Sequence, residues 1–164
     1  MNRCPWCLKE QIYIDYHDNE WGIPKYDDRV LFEALLLDGA QAGLSWITIL
    51  KKRENYRAAF ENFDPIKIAS FDENKIKLLL SNQGIVRNRL KITSFINNSK
   101  VYLNNFRENG SFTEFLWSFV GNKPIINHFE TMSEVPAKTD ISDTISNKLK
   151  KLGFSFVGST ICYA

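Results

Sequence analysis

The spacing of the apolar residues constrains the fold of this chain more than any other feature. Along almost the whole sequence they recur every three or four residues, which is the period of an amphipathic helix. No segment keeps the apolar–polar alternation of a strand for more than a few residues. The pattern therefore predicts an all-α protein. With 164 residues, 44% of them hydrophobic, the chain can bury one sizeable core, so we expect a single compact helical domain spanning 1–164.

Capping and turn residues set the predicted helix boundaries. An aromatic, loop-like N-terminus precedes a helix that begins at Asp27 or Asp28 and ends at Gly39. The polar stretch 121–138 is predicted to cross the surface. Further helices are predicted at 46–50, 53–63, a short stretch after the Asp64-Pro65 cap, 72–80, 87–106, 111–120 and 140–153.

The last residues, "GSTICYA", resemble the first turn of one more helix. A natural domain seldom ends at such a point. We therefore expect a C-terminal tail beyond Ala164.

Charge and composition leave several classes of function open. The chain has 21 basic and 19 acidic residues, a net charge of +2, which neither requires nor excludes a nucleic-acid partner. No stretch reaches the roughly 18 apolar residues of a membrane helix, and the N-terminus lacks an export signal. We expect a cytoplasmic monomer that does not bind membranes. The three cysteines argue against a disulfide framework and leave thiols or metal ligands as alternatives.

A helix, a short turn and a basic helix follow one another at 78–92, "LLLSNQGIVRNRLKI". The turn contains Gly84, and the second helix opens with Arg87, Arg89 and Lys91. A helix N-terminus presents free N–H groups and a positive dipole end, so a phosphate could bind there. This pattern predicts a helix-hairpin-helix at about 73–106. An ordinary αα-hairpin with a solvated basic face is an equal alternative.

Asp38 and three aromatic residues have both a structural and a functional interpretation. Asp38 falls in the last turn of its predicted helix, where the macrodipole disfavours a carboxylate, yet most such residues are simply solvated. Tyr16, Trp21 and Trp46 are large aromatics, which more often belong to the core than to a site.

The "CPWC" at 4–7 has the C-x-x-C spacing of redox dithiols and of zinc sites. No βαβ pattern surrounds it, so the redox interpretation is weak. Zinc requires four ligands, and the further candidates are His17, His128 and Cys162. The residues support half of a zinc site.

The chain contains the stretches "YIDYHDNEWGIP", "QAGLSWITILKKRENYRAAFENFDP", "GIVRNRLKI", "FLWSFV" and "LKKLGFSFVGSTICY". Taken in this order, they closely resemble the bacterial DNA-3-methyladenine glycosylase I family over essentially the whole chain. The resemblance implies a helix-hairpin-helix DNA glycosylase architecture. It also implies an enzyme that flips N3-methyladenine out of alkylated double-stranded DNA, hydrolyses its N-glycosidic bond without a lyase step and releases free 3-methyladenine.

The resemblance also implies roles for individual residues. Trp46 would stack on the base, Tyr16 and Trp21 would line the pocket, and Asp38 would take the place of a glutamate that hydrogen-bonds the adenine edge. Asp38 is one methylene shorter than that glutamate. The turn that faces the DNA and the flipped base would comprise Gln41, Gly43, Leu44 and Ser45, and the residues that hold a backbone phosphate would be Gly84, Arg87 and Arg89.

A structural zinc is the cofactor that the resemblance implies. Cys4 and His17 match two of its ligands, and the other two would lie in the tail beyond Ala164.

There are two alternatives to an enzyme. One is a non-catalytic helix-hairpin-helix DNA-binding module. The other is a small zinc-dependent interaction protein, but that interpretation does not explain the central stretch. No Asp occurs between Asp72 and Asp140, so the chain fits glycosylases that lack a catalytic Asp after the hairpin.

Overall fold

The computed structural model describes residues 3–164, and every regular element within that range is helical. This confirms the predicted all-α fold. The helices are α1 (Gln11–Asn19), α2 (Asp28–Gln41), α3 (Trp46–Leu50), α4 (Arg53–Ala59), α5 (Pro65–Ala69), α6 (Glu73–Ser81), α7 (Arg89–Asn105), α8 (Ser111–Ser118), α9 (Asp140–Leu152) and α10 (Ser159–Tyr163), with short 3₁₀ helices at Pro5–Cys7, Glu61–Phe63 and Met132–Glu134.

The core forms around α2 and α7 and is rich in aromatic rings. Phe60 and Phe95 approach to 4.7 Å between ring centroids, and Phe32 lies 4.6 Å from Tyr102. Fully burying one such side chain stabilises the fold by roughly 1.5–3 kcal/mol, so these rings anchor the two central helices to the rest of the chain.

The segment 121–138 is mostly exposed and holds only one 3₁₀ turn, as the sequence predicts.

Side-chain caps explain why several helices begin where they do. The carboxylate of Asp27 accepts a hydrogen bond from the Val30 N–H, and that of Asp72 accepts one from the Lys75 N–H. Asp64 caps α5 with Pro65 at its first position, and Gly153 ends α9 in the left-handed region at φ 102°. These boundaries confirm the predictions made from the capping residues.

The N-terminal segment differs from its prediction, because residues 11–19 form a helix and not a loop. Its N-cap, Glu10, makes no side-chain capping bond, and none of its residues is fully buried, so the local sequence carries little helix signal. The helix α1 does make tertiary contacts with α3 and with the 3₁₀ helix Pro5–Cys7.

Two predicted helix ends are also wrong. The second helix continues through Gly39 to Gln41, because Gly39 serves close packing and not chain reversal: a Cβ there would lie 3.2 Å from the Phe156 carbonyl oxygen. The helix predicted at 53–63 ends at Ala59, and positive φ values at residues 61–63 turn the chain away from it. The helix predicted from 87 begins at Arg89.

Asp28 fastens α8 to the centre of the fold. Its buried carboxylate accepts hydrogen bonds from the N–H of Gly110 at 2.8 Å and of Thr113 at 2.7 Å, and from the Thr113 hydroxyl. Burial opposes the ionised form, but these hydrogen bonds prevail and hold the pKa of Asp28 below its usual value.

In the range 3–164 no helix has the length and apolar character needed to cross a bilayer.

Candidate functional site

Three residues predicted to contact the base come from three different helices, and the fold brings them near one another. Tyr16 is on α1, Asp38 is near the end of α2, and Trp46 is the first residue of α3. The rings of Tyr16 and Trp46 are 5.5 Å apart and tilted by 52°. Burial raises the pKa of Tyr16 to about 12, and the nearby charge of Asp38 adds to that rise. The phenol therefore remains protonated and can donate a hydrogen bond.

Asp38 is an unusual carboxylate for a helix end. Its side chain is half-buried, and within residues 3–164 no group donates a hydrogen bond to it. Burial raises its pKa to about 7. The C-terminal end of α2 also carries a negative dipole, which adds no stabilisation to the charge. A carboxylate in this state gains strongly from any cation or hydrogen-bond donor that enters beside it.

Trp46 also has an unused polar group. Its indole Nε1–H is buried and finds no acceptor in the part of the chain that the structure describes. A buried donor without a partner costs about 1–3 kcal/mol. Together, the orphan N–H of Trp46 and the unpaired carboxylate of Asp38 indicate a pocket that is completed by a polar, cationic ligand.

Trp21 belongs to a second aromatic group next to this pocket. It stacks on His17 at 5.3 Å and meets the edge of Trp6 at 5.3 Å, while its backbone N–H donates to the Tyr16 carbonyl oxygen. Its ring is half-exposed. Trp21 therefore lies next to the pocket residue Tyr16. Its contact with a base stays a prediction.

The segment 42–45 forms an exposed turn between α2 and α3. Gly43 has φ 76°, a conformation that favours glycine, and the Leu44 N–H closes the turn on the Gln41 carbonyl oxygen at 2.6 Å. Leu44 and Ser45 are exposed, and Ser45 bonds the Thr48 hydroxyl at 2.8 Å. An apolar side chain is therefore presented to solvent directly beside the aromatic pocket.

The segment 82–88 joins α6 and α7 by a compact turn. The Gly84 N–H donates to the Asn82 side-chain oxygen at 2.8 Å, and a Cβ on Gly84 would lie 3.0 Å from Asn55. Gly84 is therefore required for close packing, and its own N–H is already used. In the described part of the chain, the N–H groups of Arg89 and Leu90 in the first turn of α7 have no acceptor, which leaves them available to an anion.

The basic side chains of this turn do not all face solvent. Arg87 and Arg89 are both exposed, and Arg89 forms an ion pair with Glu73 at 2.7 Å. The expectation that Lys91 adds to a basic surface is wrong, because its side chain is buried and donates to two carbonyl oxygens of the α2 end.

Cys4 and His17, the two predicted zinc ligands, lie close together. The Cys4 N–H donates to His17 Nε2 at 3.3 Å, while His17 Nδ1 lies 3.0 Å from an Asp18 carboxylate oxygen. A carboxylate behind the imidazole is the usual support of a metal-binding histidine. The other C-x-x-C residue, Cys7, is fully buried and its thiol bonds the Cys4 carbonyl oxygen at 3.1 Å.

The remaining zinc candidates lie elsewhere. His128 is exposed in the segment 121–138. Burial raises the pKa of the Cys162 thiol to about 11, and that thiol donates to the Val157 carbonyl oxygen. Within residues 3–164 no three His, Cys, Asp or Glu side chains are grouped as a metal site would require. Cys4 and His17 are near each other, but the described residues do not form a complete zinc site.

Comparison with known proteins decides the family. The model of the methyladenine glycosylase family matches residues 6–164. The chain belongs to the methyladenine glycosylase family. DNA-3-methyladenine glycosylase 1 of Escherichia coli (strain K12) is 50% identical over 164 residues, which are all of this chain and 88% of that protein. The DNA-3-methyladenine glycosylase of Haemophilus influenzae is 50% identical over 162 residues, 99% of this chain and 88% of that protein.

Solved structures of the family share the fold closely. A crystal structure of 3-methyladenine DNA glycosylase I superimposes with a TM-score of 0.96 at 51% identity, covering 99% of this chain and 89% of that one. The Staphylococcus aureus enzyme, whose structure concerns the recognition of 3-methyladenine, has a TM-score of 0.94 at 39% identity and covers 99% and 87%. These matches confirm the predicted family.

Three residues whose role the sequence did not reveal contact the elements that carry the site residues. Arg53 binds Glu20 through two hydrogen bonds of 2.6 and 2.7 Å, which fixes the end of α1 that carries Tyr16. Trp6 contacts His17 and Trp21, and Lys91 contacts the end of α2. The "C-x-x-C" pattern directed attention to the cysteines on either side of Trp6 and not to the tryptophan itself. No local signal distinguishes Arg53 or Lys91 from solvated cations.

Proposed function

We propose that this chain is a DNA-3-methyladenine glycosylase, a monofunctional hydrolase that removes N3-methyladenine from alkylated duplex DNA. The observation that carries the proposal is the aromatic pair of Tyr16 and Trp46 together with the unpaired carboxylate of Asp38, which is near enough for its charge to act on Tyr16. The names of the relatives, which match 99–100% of this chain, support the same reaction. A DNA-binding module without turnover would not need a half-buried, unpaired carboxylate of this kind.

The pocket suits the charge of the damaged base. A 3-methylated adenine nucleotide is cationic, so the ring of Trp46 attracts it by a cation–π interaction and Asp38 attracts it by a charge-assisted hydrogen bond. Neutral adenine gains neither contribution in full. The Nε1–H of Trp46 and the protonated phenol of Tyr16 are further donors for acceptors on the base.

The reaction needs little acid or base catalysis. When the bond between the sugar C1′ and the base nitrogen breaks, its electron pair neutralises the positive charge of the base, which leaves as neutral 3-methyladenine. A water oxygen bonds to C1′ and releases a proton. Holding the flipped nucleotide in a fitted pocket that stabilises this leaving group therefore supplies most of the rate enhancement.

The exposed turn and the hairpin are the proposed DNA-binding elements. Gln41, Gly43 and Leu44 would fill the space that the flipped nucleotide vacates. The exposed Arg87 and the free first-turn N–H groups of α7 would hold a backbone phosphate. Gly84 contributes by permitting the close packing of the hairpin. In this form the hairpin positions the DNA, and the pocket selects the base.

A structural zinc is a separate part of the proposal. Cys4 and His17 would supply two ligands, supported by their proximity and by the Asp18 carboxylate behind the imidazole. The other two ligands would come from outside the described residues. Such an ion would brace the aromatic group around Trp21 and takes no part in the hydrolysis. The proposed enzyme is a cytoplasmic monomer.

The test measures bases released from DNA treated with dimethyl sulfate, separated by chromatography. The protein should release 3-methyladenine and leave 7-methylguanine almost untouched. Trp46→Ala serves as the matched variant of reduced activity, since it removes the stacking surface. Protein that binds this DNA but releases no 3-methyladenine would support the non-catalytic binding module instead.

A further inference from the structure

Lys91 makes a contact that links the hairpin to the pocket. It is only 8% exposed, and its ammonium donates to the carbonyl oxygens of Ala40 at 2.7 Å and Ala42 at 2.6 Å. In the described chain no carboxylate pairs with it. The carbonyl oxygens belong to the C-terminal end of α2, where the helix dipole is negative and favours a cation.

Packing alone does not account for a lysine at this position. Removing an ammonium group from water is costly, and burial lowers the pKa of Lys91. An apolar side chain of similar size would fill the same space without that cost. What the lysine adds is a pair of directed hydrogen bonds. They fix the position of the two carbonyl groups relative to α7.

Those carbonyl groups are next to the elements that the proposed reaction uses. Ala40 follows Asp38 by two residues on the same helix end. Ala42 directly precedes Gly43 and the exposed Leu44. Lys91 itself lies in the first turn of α7, beside the hairpin. One side chain therefore joins the phosphate-facing hairpin, the start of the exposed turn and the helix end that carries the carboxylate.

We propose that Lys91 is a positioning residue, which holds the turn 42–45 at a fixed orientation to the hairpin. The inference rests on the proposed function. When α7 binds a backbone phosphate, the two hydrogen bonds of Lys91 place Leu44 level with the vacated base position. They also keep the entrance of the pocket aligned with the flipped nucleotide. Lys91 touches neither the base nor the phosphate. Its effect is confined to duplex DNA, because a free base enters the pocket without the turn.

The test compares Lys91→Met, which keeps the apolar stem and loses the donors, with Asn98→Ala. Asn98 is the matched control because it is buried on the same helix and bonds the Ser155 backbone N–H at 2.8 Å and carbonyl oxygen at 2.9 Å, with no hydrogen bond to residues 42–45. Three quantities are measured well below the melting temperature of each variant. They are the affinity for free 3-methyladenine, the single-turnover excision rate on a duplex, and the fluorescence of 2-aminopurine placed opposite an abasic-site analogue.

Lys91→Met should lower the excision rate about 10–100-fold, as expected for a misplaced element of about 1 Å, with free-base affinity within about twofold of wild type. The 2-aminopurine signal that reports insertion of the turn should be lost. Lys91→Arg, whose guanidinium donors can reach the same carbonyl groups, should recover part of the rate. Asn98→Ala should keep the wild-type rate and signal within about threefold, since its loss affects only stability.

The outcomes separate this role from the proposed function. Wild-type protein that excises no 3-methyladenine refutes the function and the role together. An active wild type with a Lys91→Met variant of equal rate, or with equal losses in Asn98→Ala, overturns the role of Lys91 alone. If Lys91→Met does not fold, Lys91→Gln takes its place, because its uncharged side chain is one bond shorter and cannot hold both carbonyl oxygens at the present distances. A rate for Lys91→Gln equal to wild type would overturn the role in the same way.

Discussion

Replacing Asp38 by asparagine should raise the stability of the protein while lowering its activity. Burial shifts the pKa of this carboxyl from 3.8 to about 7, a rise of about 3 units. Each unit corresponds to about 1.4 kcal/mol, so the ionised group costs the fold about 4 kcal/mol. Asp38 keeps some contact with solvent, which reduces this figure to about 2–4 kcal/mol.

The cost depends on pH in a defined direction. Between pH 3.8 and about 7 the folded protein retains a proton that the unfolded chain has released, so stability falls as the pH rises. The full cost is present above about pH 7, and it is absent below pH 3.8. Asparagine resembles the protonated acid in shape and charge. The two proteins should therefore be equally stable at low pH and diverge as the pH increases.

Thermal unfolding and base release measure the two effects. For a chain of 164 residues, about 2–4 kcal/mol corresponds to a melting temperature about 6–12 °C higher for Asp38→Asn at pH 8, and to almost no difference at pH 4. Loss of a charge-assisted hydrogen bond to the cationic base, worth about 1.5–3 kcal/mol, should slow excision about 10–150-fold. Equal melting temperatures at pH 8 would show that ionisation of Asp38 does not lower the stability of the fold. A stabilised but fully active variant would show that its charge does not contact the base.

Three further changes test the other parts of the site. Trp46→Ala should weaken both free-base binding and excision by about 1–3 kcal/mol, as stacking is lost, and unchanged base affinity by fluorescence titration would exclude stacking on this ring. Gly84→Val places a side chain against Asn55, whose atoms lie 3.0 Å from the Cβ position, so duplex affinity measured by anisotropy should fall while free-base affinity stays constant. Equal loss of both affinities would contradict the assignment of the hairpin to DNA. Cys4→Ser should remove the proposed zinc, seen by elemental analysis, and lower the melting temperature; a folded wild-type protein without metal would contradict the zinc proposal.

The success of the site prediction differed from residue to residue for a physical reason. Asp38 was conspicuous because its position near a helix end is unfavourable whatever surrounds it, and the structure does leave it unpaired. Lys91 was misjudged because a basic residue in the first turn of a helix resembles a solvated cation. Only the packing of α2 against α7 shows that two carbonyl groups face its ammonium. Gly39 was misjudged in the same way, since its need for space arises from Phe156.

The sequence by itself determined the features that depend on near neighbours in the chain. Helical periodicity, the caps at Asp27, Asp64 and Asp72 and the reversal at Gly153 follow from interactions within a few residues, so the all-α class and most helix starts could be derived locally. The helix α1 could not, because contacts with distant residues accompany it and no local cap marks it.

Only the tertiary structure decided the properties that make the site. The rings of Tyr16 and Trp46 meet beside Asp38 because three helices pack together, and the pKa of about 7 follows from the water which that packing removes. Desolvation and Coulomb interactions depend on what lies within a few ångströms in space, at any separation along the chain. The residue types were visible in the sequence, but the environment that gives them their chemistry exists only in the folded protein.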